Sequence, residues 1–385
     1  MSIACRWSDH LAERARQRRD SGCWRVRRTR PSTDALIDFA SNDYLGLSRD
    51  PRLAEAEAEA ACRFGAGSGA SHLVSGHLEV HEALEEALAR LTGRPRALLF
   101  STGYMANLGT LQALCDSRVH VYQDRFNHAS LIDGAQLAGA RSRRFHHADL
   151  DDLARLMQRK PAADRALIVS DGVFSMDGDI ADVPGLAAQA RRHDAWLMID
   201  DAHGLGVLGD AGDGCVGRGH GSDQVQVLVG TLGKALGTAG AFVAGDHALI
   251  DHLIQFARPY VYTTALPPGV AAATLAALEV IKDEPQRRRR LTHNIAAFRA
   301  GAAQLGLPLM ASTTPIQPLL LGDEARVLTW ASRLGQSGLR VGAIRPPTVP
   351  KGQSRLRITL SAAHRPEDIR TLLEALGELM TEATT

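Results

Sequence analysis

The chain has 385 residues, enough for a large core in two or three compact units, with the hydrophobic (45%) and charged (23%) fractions of an ordinary globular protein. Its 44 Lys and Arg nearly balance 43 Asp and Glu, which argues against nucleic acid or a membrane surface as partner, and no apolar run approaches the roughly 20 residues that span a bilayer. Five scattered cysteines (Cys5, Cys23, Cys62, Cys115, Cys215) without CxxC spacing argue against a disulfide framework or a zinc site, and suit a reducing, cytoplasmic compartment.

From Arg6 to Arg30 the chain is rich in arginine, but Asp9, Glu13 and Asp20 interrupt the positive run and no apolar stretch accompanies it. It therefore reads as a basic surface helix over Asp9–Arg19, with Ser8 as N-cap, and not as a targeting peptide. Residues 1–50 form an expected arm, 51–268 a large α/β unit, and 269–385 a smaller α+β unit.

Beyond Pro51, apolar runs at Ala97–Ser101, Arg118–Gln123, Ala166–Ser170, Trp196–Asp200, Val225–Gly230 and Ala239–Ala244 read as buried strands. Several lack polar alternation, as strands covered on both faces should. Helical patterns at Tyr104–Cys115, Leu150–Arg159 and Pro184–His193 separate them, so a mostly parallel, doubly wound sheet is expected. After Pro268 the texture changes. Val270–Lys282, Arg287–Leu305 and Pro366–Met380 read as helices, and Ile316–Leu321 and Arg355–Leu360 as strands.

Ligands of such sheets gather beyond the carboxyl ends of the strands. The residues there are Asp124 to His128, then Asp171 to Asp177 with Ser175, then Asp200-Asp201-Ala202-His203-Gly204, then Gly230-Thr231-Leu232-Gly233-Lys234. One lysine, a carboxylate, two histidines and hydroxyls converge on one edge, which is the set pyridoxal 5'-phosphate (PLP) needs. Lys234, in a glycine-flanked loop, forms the Schiff base, and a carboxylate keeps the pyridine nitrogen protonated. The helix opened by Gly103 and Tyr104 offers N–H groups to a phosphate, and Thr231 adds a hydroxyl.

Other readings are weaker. Asp200, Asp201 and His203 could serve a metal hydrolase, but a further ligand at a recognised spacing is missing, so no metal site is expected. Gly65–Ala70 matches G-x-G-x-x-A formally, yet it follows the helical stretch Ala54–Arg63 where a dinucleotide site requires a strand.

From Asn42-Asp43-Tyr44-Leu45-Gly46-Leu47 to Arg355-Leu356-Arg357-Ile358-Thr359-Leu360-Ser361-Ala362-Ala363-His364, the motifs resemble, in order, those of the α-oxoamine synthases. These are PLP-dependent enzymes of the fold type I (aspartate-aminotransferase-like) class, with a mostly parallel central sheet and a smaller α+β domain. The resemblance implies that Lys234 holds PLP, Asp200 faces the pyridine nitrogen, His128 stacks on the ring, and His203 and Ser175 lie on its phenolic side. Gly103, Tyr104 and Thr231 are implied phosphate ligands, with Thr263 and Thr264 reaching over from the second subunit of a homodimer. Asn42 and Arg357 are implied to hold the amino-acid carboxylate and Arg25 another part of the substrate. His128 is also implied to reach the attacked carbonyl. Ile344-Arg345-Pro346-Pro347-Thr348-Val349-Pro350 resembles the substrate loop, with Thr348 in it, of the members that condense L-alanine with pimeloyl-CoA or pimeloyl-acyl carrier protein. The alternative within the family is a glycine C-acetyltransferase.

Overall fold

The computed structural model describes residues 3–27, 29–159 and 164–384. The first elements are α1 (Ile3–Asp20), β1 (Ile37–Phe39), α2 (Pro51–Phe64) and α3 (Glu79–Thr92). Alternating strands and helices follow: β2 (Arg96–Phe100), α4 (Gly103–Leu114), β3 (Val119–Asp124), α5 (Ala129–Leu137), β4 (Arg141–Phe145) and α6 (Leu150–Met157). The alternation continues with β5 (Arg165–Asp171), α7 (Val183–Arg192), β6 (Trp196–Asp200), β7 (Val227–Thr231) and β8 (Ala241–Gly245). Four helices lead out of this region: α8 (His247–Phe256), α9 (Arg258–Val261), α10 (Pro268–Asp283) and α11 (Gln286–Gln304). The chain closes with β9 (Ile316–Gly322), α12 (Glu324–Gln336), β10 (Leu339–Ile344), β11 (Ser354–Thr359) and α13 (Pro366–Thr384).

Seven strands form one sheet in the order β2-β8-β7-β6-β5-β3-β4. The pairings from β7 through β4 are parallel, whereas β8 runs antiparallel to both neighbours. Successive side chains of the parallel strands enter opposite cores. On β6, Leu197 and Ile199 join one apolar cluster and Met198 the other. Burying each such side chain contributes roughly 1.5–3 kcal/mol, which explains why these strands carry no polar alternation.

A second sheet, β1-β10-β11-β9, pairs β1 in parallel with β10 and is otherwise antiparallel. A strand from the arm thus enters the sheet built by the end of the chain, which sets Asn42 beside β11.

Two readings are corrected. Ser8 is not an N-cap, because α1 starts at Ile3 and runs through it. The runs read from Val225 and Ala239 begin as strands two residues later, at Val227 and Ala241. α3 packs against β2 and β8 of the large sheet, and α10 packs on both α2 and α3, with Ala273, Ala277, Tyr44, Leu45 and Leu47 in the same core. No described helix is long and apolar enough to cross a membrane.

Candidate active site

Four neighbouring parallel strands, β7, β6, β5 and β3, end on Thr231, Asp200, Asp171 and Asp124. The expected convergence at one sheet edge is therefore literal, and Asp171 and Asp200 are register partners.

Lys234 follows β7 in a loop that folds back on itself. Leu232 N donates to Gly240 O (2.9 Å), Gly237 N to Lys234 O (3.0 Å), and Thr231 Oγ1 to Gly240 O (3.1 Å). Gly237 has φ +71°, and a Cβ there would lie 2.5 Å from Ser48 N, so only glycine lets the Asn42–Ser48 segment close over this loop.

From the amine a chain of hydrogen bonds crosses to the second sheet. Lys234 Nζ lies 2.9 Å from His203 Nε2, and His203 Nδ1 lies 2.6 Å from the Tyr44 hydroxyl. Tyr44 donates to Asn42 Oδ1 (3.2 Å), which also accepts both terminal N–H groups of Arg357, each at 3.2 Å. Tyr44 has a single proton and gives it to Asn42, so His203 Nδ1–H donates to Tyr44 and Nε2 accepts from Lys234. Arg357 is fixed further by Ser175 O (2.6 Å to Nε) and Thr359 Oγ1 (3.1 Å).

Asp200 belongs to a second network. Its Oδ2 accepts from Asn107 Nδ2 (2.6 Å) and its Oδ1 from Ala202 N (3.1 Å). Asn107 also donates to Ser130 Oγ (2.9 Å), which lies 2.7 Å from His128 Nδ1. The backbone N–H of His128 donates to Asp171 Oδ2 (2.8 Å), so Asp171 seats the histidine.

Burial is the largest influence on Lys234, His203, His128, Asp171 and Tyr44. It brings the Lys234 ammonium down to about 8, although the Asp200 and Asp171 charges oppose the shift. Burial, then the Lys234 and Arg357 charges, holds His203 well below the usual histidine range and therefore neutral, as the proton placement above requires. His128 is lowered, chiefly by burial. Asp171 is raised well above the carboxylate range by burial and by Asp200. Tyr44 is pushed to about 12 by burial.

Of the remaining expected residues, Gly103 and Tyr104 open α4, which Thr102 caps by accepting from Met105 N (3.1 Å); the Tyr104 hydroxyl donates to Asp133. Ser175 enters through its carbonyl. Arg25 and Thr348 meet each other at 3.5 Å, and Arg345 donates to Gly22 O (3.1 Å), so the N-terminal arm is tied to the Pro346–Pro347 loop and not to the Lys234 network. Thr263 and Thr264 lie outside both networks, in the loop before α10, where Thr264 bridges to Ser71 and is exposed. Reasoning from sequence missed the parts played by Tyr44, Asn107 and Ser130; the signal for Asn107 was its position one helical turn after Gly103, on the α4 face that meets the strand ends.

The donor set fits PLP. A buried amine, a carboxylate held by an amide, an imidazole fixed by Ser130, and a helix N-terminus surround one edge. An added Cβ at Gly103 would meet nothing within 4 Å, so a phosphate can approach the backbone there. Asp201 points elsewhere: its Oδ2 accepts from Cys215 N (2.7 Å), and Asp200, Asp201 and His203 do not form a metal-ligand group. Among the described residues, such groups gather only around His77. There His81 already bonds backbone through both ring nitrogens, at Leu78 N (3.0 Å) and Leu266 O (2.7 Å). A cleft of about 880 Å³ lined by Leu114, Asp164, Trp196 and His252 lies at the opposite strand ends, and no candidate residue lines it.

Residues 34–376 match the family model of class I and II aminotransferases. The chain is 70% identical to an 8-amino-7-oxononanoate synthase of Chromohalobacter salexigens over 98% of its own length and 97% of the relative's. Among solved structures, it superposes on serine palmitoyltransferase from S. paucimobilis with bound PLP–myriocin aldimine (TM-score 0.91, 30% identity, 99% of each chain). It also superposes on the 8-amino-7-oxononanoate synthase from Francisella tularensis (TM-score 0.80, 31% identity, 91% of this chain and all of that one). The expected fold type I architecture and the PLP cofactor are borne out.

Proposed function

We infer, for a chain that belongs to the 8-amino-7-oxononanoate synthase family within the class I and II aminotransferases, a decarboxylative condensation in biotin biosynthesis. L-Alanine and a pimeloyl thioester, on CoA or acyl carrier protein, give 8-amino-7-oxononanoate, carbon dioxide and free thiol. The observation that carries the reading is the bonded path Lys234–His203–Tyr44–Asn42–Arg357. It joins a buried amine to a guanidinium suited to a carboxylate, so one amino acid can meet both ends.

Lys234 would hold PLP covalently, Asp200 its pyridine nitrogen, His128 its face, and His203 and Ser175 its phenolic side. Gly103, Tyr104 and Thr231 would take the phosphate, together with Thr263 and Thr264 of the second subunit in a homodimer. When bound, PLP supplies an electron sink that stabilises negative charge at the α-carbon of the amino acid.

The residues supply the rest. Arg357 and Asn42 hold the alanine carboxylate, while Arg25 and Thr348, on the tied arm and loop, face the acyl donor. Once free, Lys234 Nζ would accept the α-proton; burial, which lowers the amine to about 8 in the cofactor-free site, favours the free base this needs. His203 Nε2, 2.9 Å away, orients that amine. Asp200 would keep positive charge on the ring nitrogen, and Asn107 fixes the carboxylate in place. His128 donates to the thioester carbonyl as it becomes an oxyanion. The new carbon–carbon bond replaces the carbon–sulfur bond, the expelled thiolate takes a proton from solvent, carbon dioxide leaves the α-carbon, and the proton held by Lys234 returns there. Cytoplasmic placement and the division into 1–50, 51–268 and 269–385 belong to the same reading.

The test is turnover of purified, PLP-supplied protein, with mass-spectrometric product and free-thiol release as readouts. L-Alanine with pimeloyl-CoA should give both, and Arg357→Lys should raise KM for alanine. Reaction of glycine with acetyl-CoA in preference would overturn the choice of substrates.

A further inference from the structure

His147 takes no part in the chemistry above, yet its surroundings are strongly charged. It follows β4 by two residues, with Nδ1 3.0 Å from Asp124 Oδ1 and Nε2 2.9 Å from Asp179 Oδ2. Phe126 stacks on the ring at 4.4 Å between centroids, and Phe174 meets it edge-on at the same separation. Burial favours a neutral ring, but the bonds to the two carboxylates outweigh it and raise His147 to about 10. At neutral pH it is therefore an imidazolium that donates from both nitrogens.

The two carboxylates come from different loops. Asp124 ends β3 and turns the chain toward His128, accepting from Phe126 N (2.8 Å) through Oδ1 and from Asn127 N (3.2 Å) through its carbonyl. Asp179 closes the turn after β5, where Phe174 N donates to Asp179 O (3.0 Å) and Gly178 N to Phe174 O (2.8 Å). That turn carries Ser175, whose carbonyl holds Arg357, and Asp177, which pairs with the buried Arg355 at 2.7 Å. The other carboxylate oxygen of Asp179 is buried without a partner, so removing the cation leaves this group poorly compensated.

We propose that His147 is a positioning residue for the substrate-carboxylate site: its two N–H groups clamp the 174–179 turn to the loop bearing His128, and so set Arg357 through Ser175 O. The proposal rests on reading Arg357 as the carboxylate anchor. A lysine has one donor head and a glutamine one donor group, whereas imidazolium presents two opposed N–H groups in a flat ring that fits between Phe126 and Phe174.

The experiment combines hydrogen exchange of the 172–180 amides with steady-state kinetics of the holoenzyme. His147→Gln should raise exchange across 174–179 and KM for L-alanine each by about 10-fold, with kcat changed less than about threefold. Adding Asp179→Asn should raise neither quantity by more than about twofold further, because both substitutions break the same contact between His147 and Asp179. A ring needed only for packing would leave the two effects to add. Should His147→Gln fail to fold, Asp179→Asn alone, which keeps the Asp124 pair, should raise both quantities in the same direction. Unchanged exchange in a folded variant, a loss confined to kcat, or fully additive effects in the double variant would overturn the clamp. Arg357→Lys separates the two ideas. It should raise KM with exchange unaltered, and an unchanged KM there would remove the anchor reading while the exchange result still judges the clamp.

Discussion

Replacing Tyr44 by phenylalanine deletes one oxygen from the middle of the path between Lys234 and Arg357. That oxygen lies 2.6 Å from His203 Nδ1 and 3.2 Å from Asn42 Oδ1, inside a fully buried residue. In the variant Asn42 Oδ1 keeps both Arg357 donors, but the Nδ1–H of His203 is left facing a ring edge. A buried donor without a partner costs about 1–3 kcal/mol. Part of this appears as lost stability, measurable by urea unfolding of the cofactor-free chain. His203 relieves the rest by turning or by moving its proton to Nε2, which then opposes the Lys234 N–H in place of accepting it. If the whole cost falls on the transition state, kcat/KM for alanine drops about 5- to 150-fold. Circular dichroism on the same preparations separates misfolding from lost positioning. An unfolding midpoint unchanged and kcat/KM within about twofold of the parent would refute the role given to Tyr44.

Three other perturbations have signs set by the structure. Glu85 is buried, accepts from Leu99 N at 2.9 Å, and is raised to about 8 chiefly by burial. An unfolded glutamate ionises near about pH 4.3, so between there and about 8 the unfolded chain holds fewer protons and stability falls as pH rises. Glu85→Gln keeps the acceptor and should be more stable than the parent above about pH 8, with a flatter profile in thermal melts. Gly237→Ala forces a side chain at φ +71°, 2.5 Å from Ser48 N, and should lower thermal stability by at least about 1–3 kcal/mol of strain along with activity. In cofactor-free protein, modification of Lys234 by an amine reagent should accelerate through about pH 8. Asp200→Asn should move that titration down and Arg357→Gln up, because the Asp200 charge raises the amine and the Arg357 charge lowers it; motion in the reverse senses would contradict the electrostatics.

The residues at the strand ends were legible because each follows an apolar run buried on both faces, a pattern that marks a parallel strand and hence its carboxyl edge. Lys234, Asp200, His203 and His128 were all reached that way. β4 was not, since Arg141, Arg143 and Arg144 make an edge strand whose first four residues are exposed look like surface loop. β1 is only three residues long and pairs with β10 from the far end of the chain, a partnership that no local pattern carries. Tyr44, Asn107 and Ser130 escaped notice for a related reason: each touches no reacting group and gains its part only when the fold sets it against His203, Asp200 or His128. Ser8 looked like a cap by residue type, but α1 begins before it, so its side chain has no helix end to satisfy. Family resemblance, and not residue chemistry alone, supplied Arg25, Thr263, Thr264 and the acyl donor.

The most direct test of the account is reduction of the PLP-loaded protein with borohydride, followed by peptide mapping. The chain has four lysines, Lys160, Lys234, Lys282 and Lys351, so the assignment is unambiguous. A pyridoxyl label on Lys234 alone, suppressed when L-alanine is added before the reductant, is the expected result. A label on another lysine, or none in folded, PLP-supplied protein, would contradict the placement of the chemistry at this sheet edge.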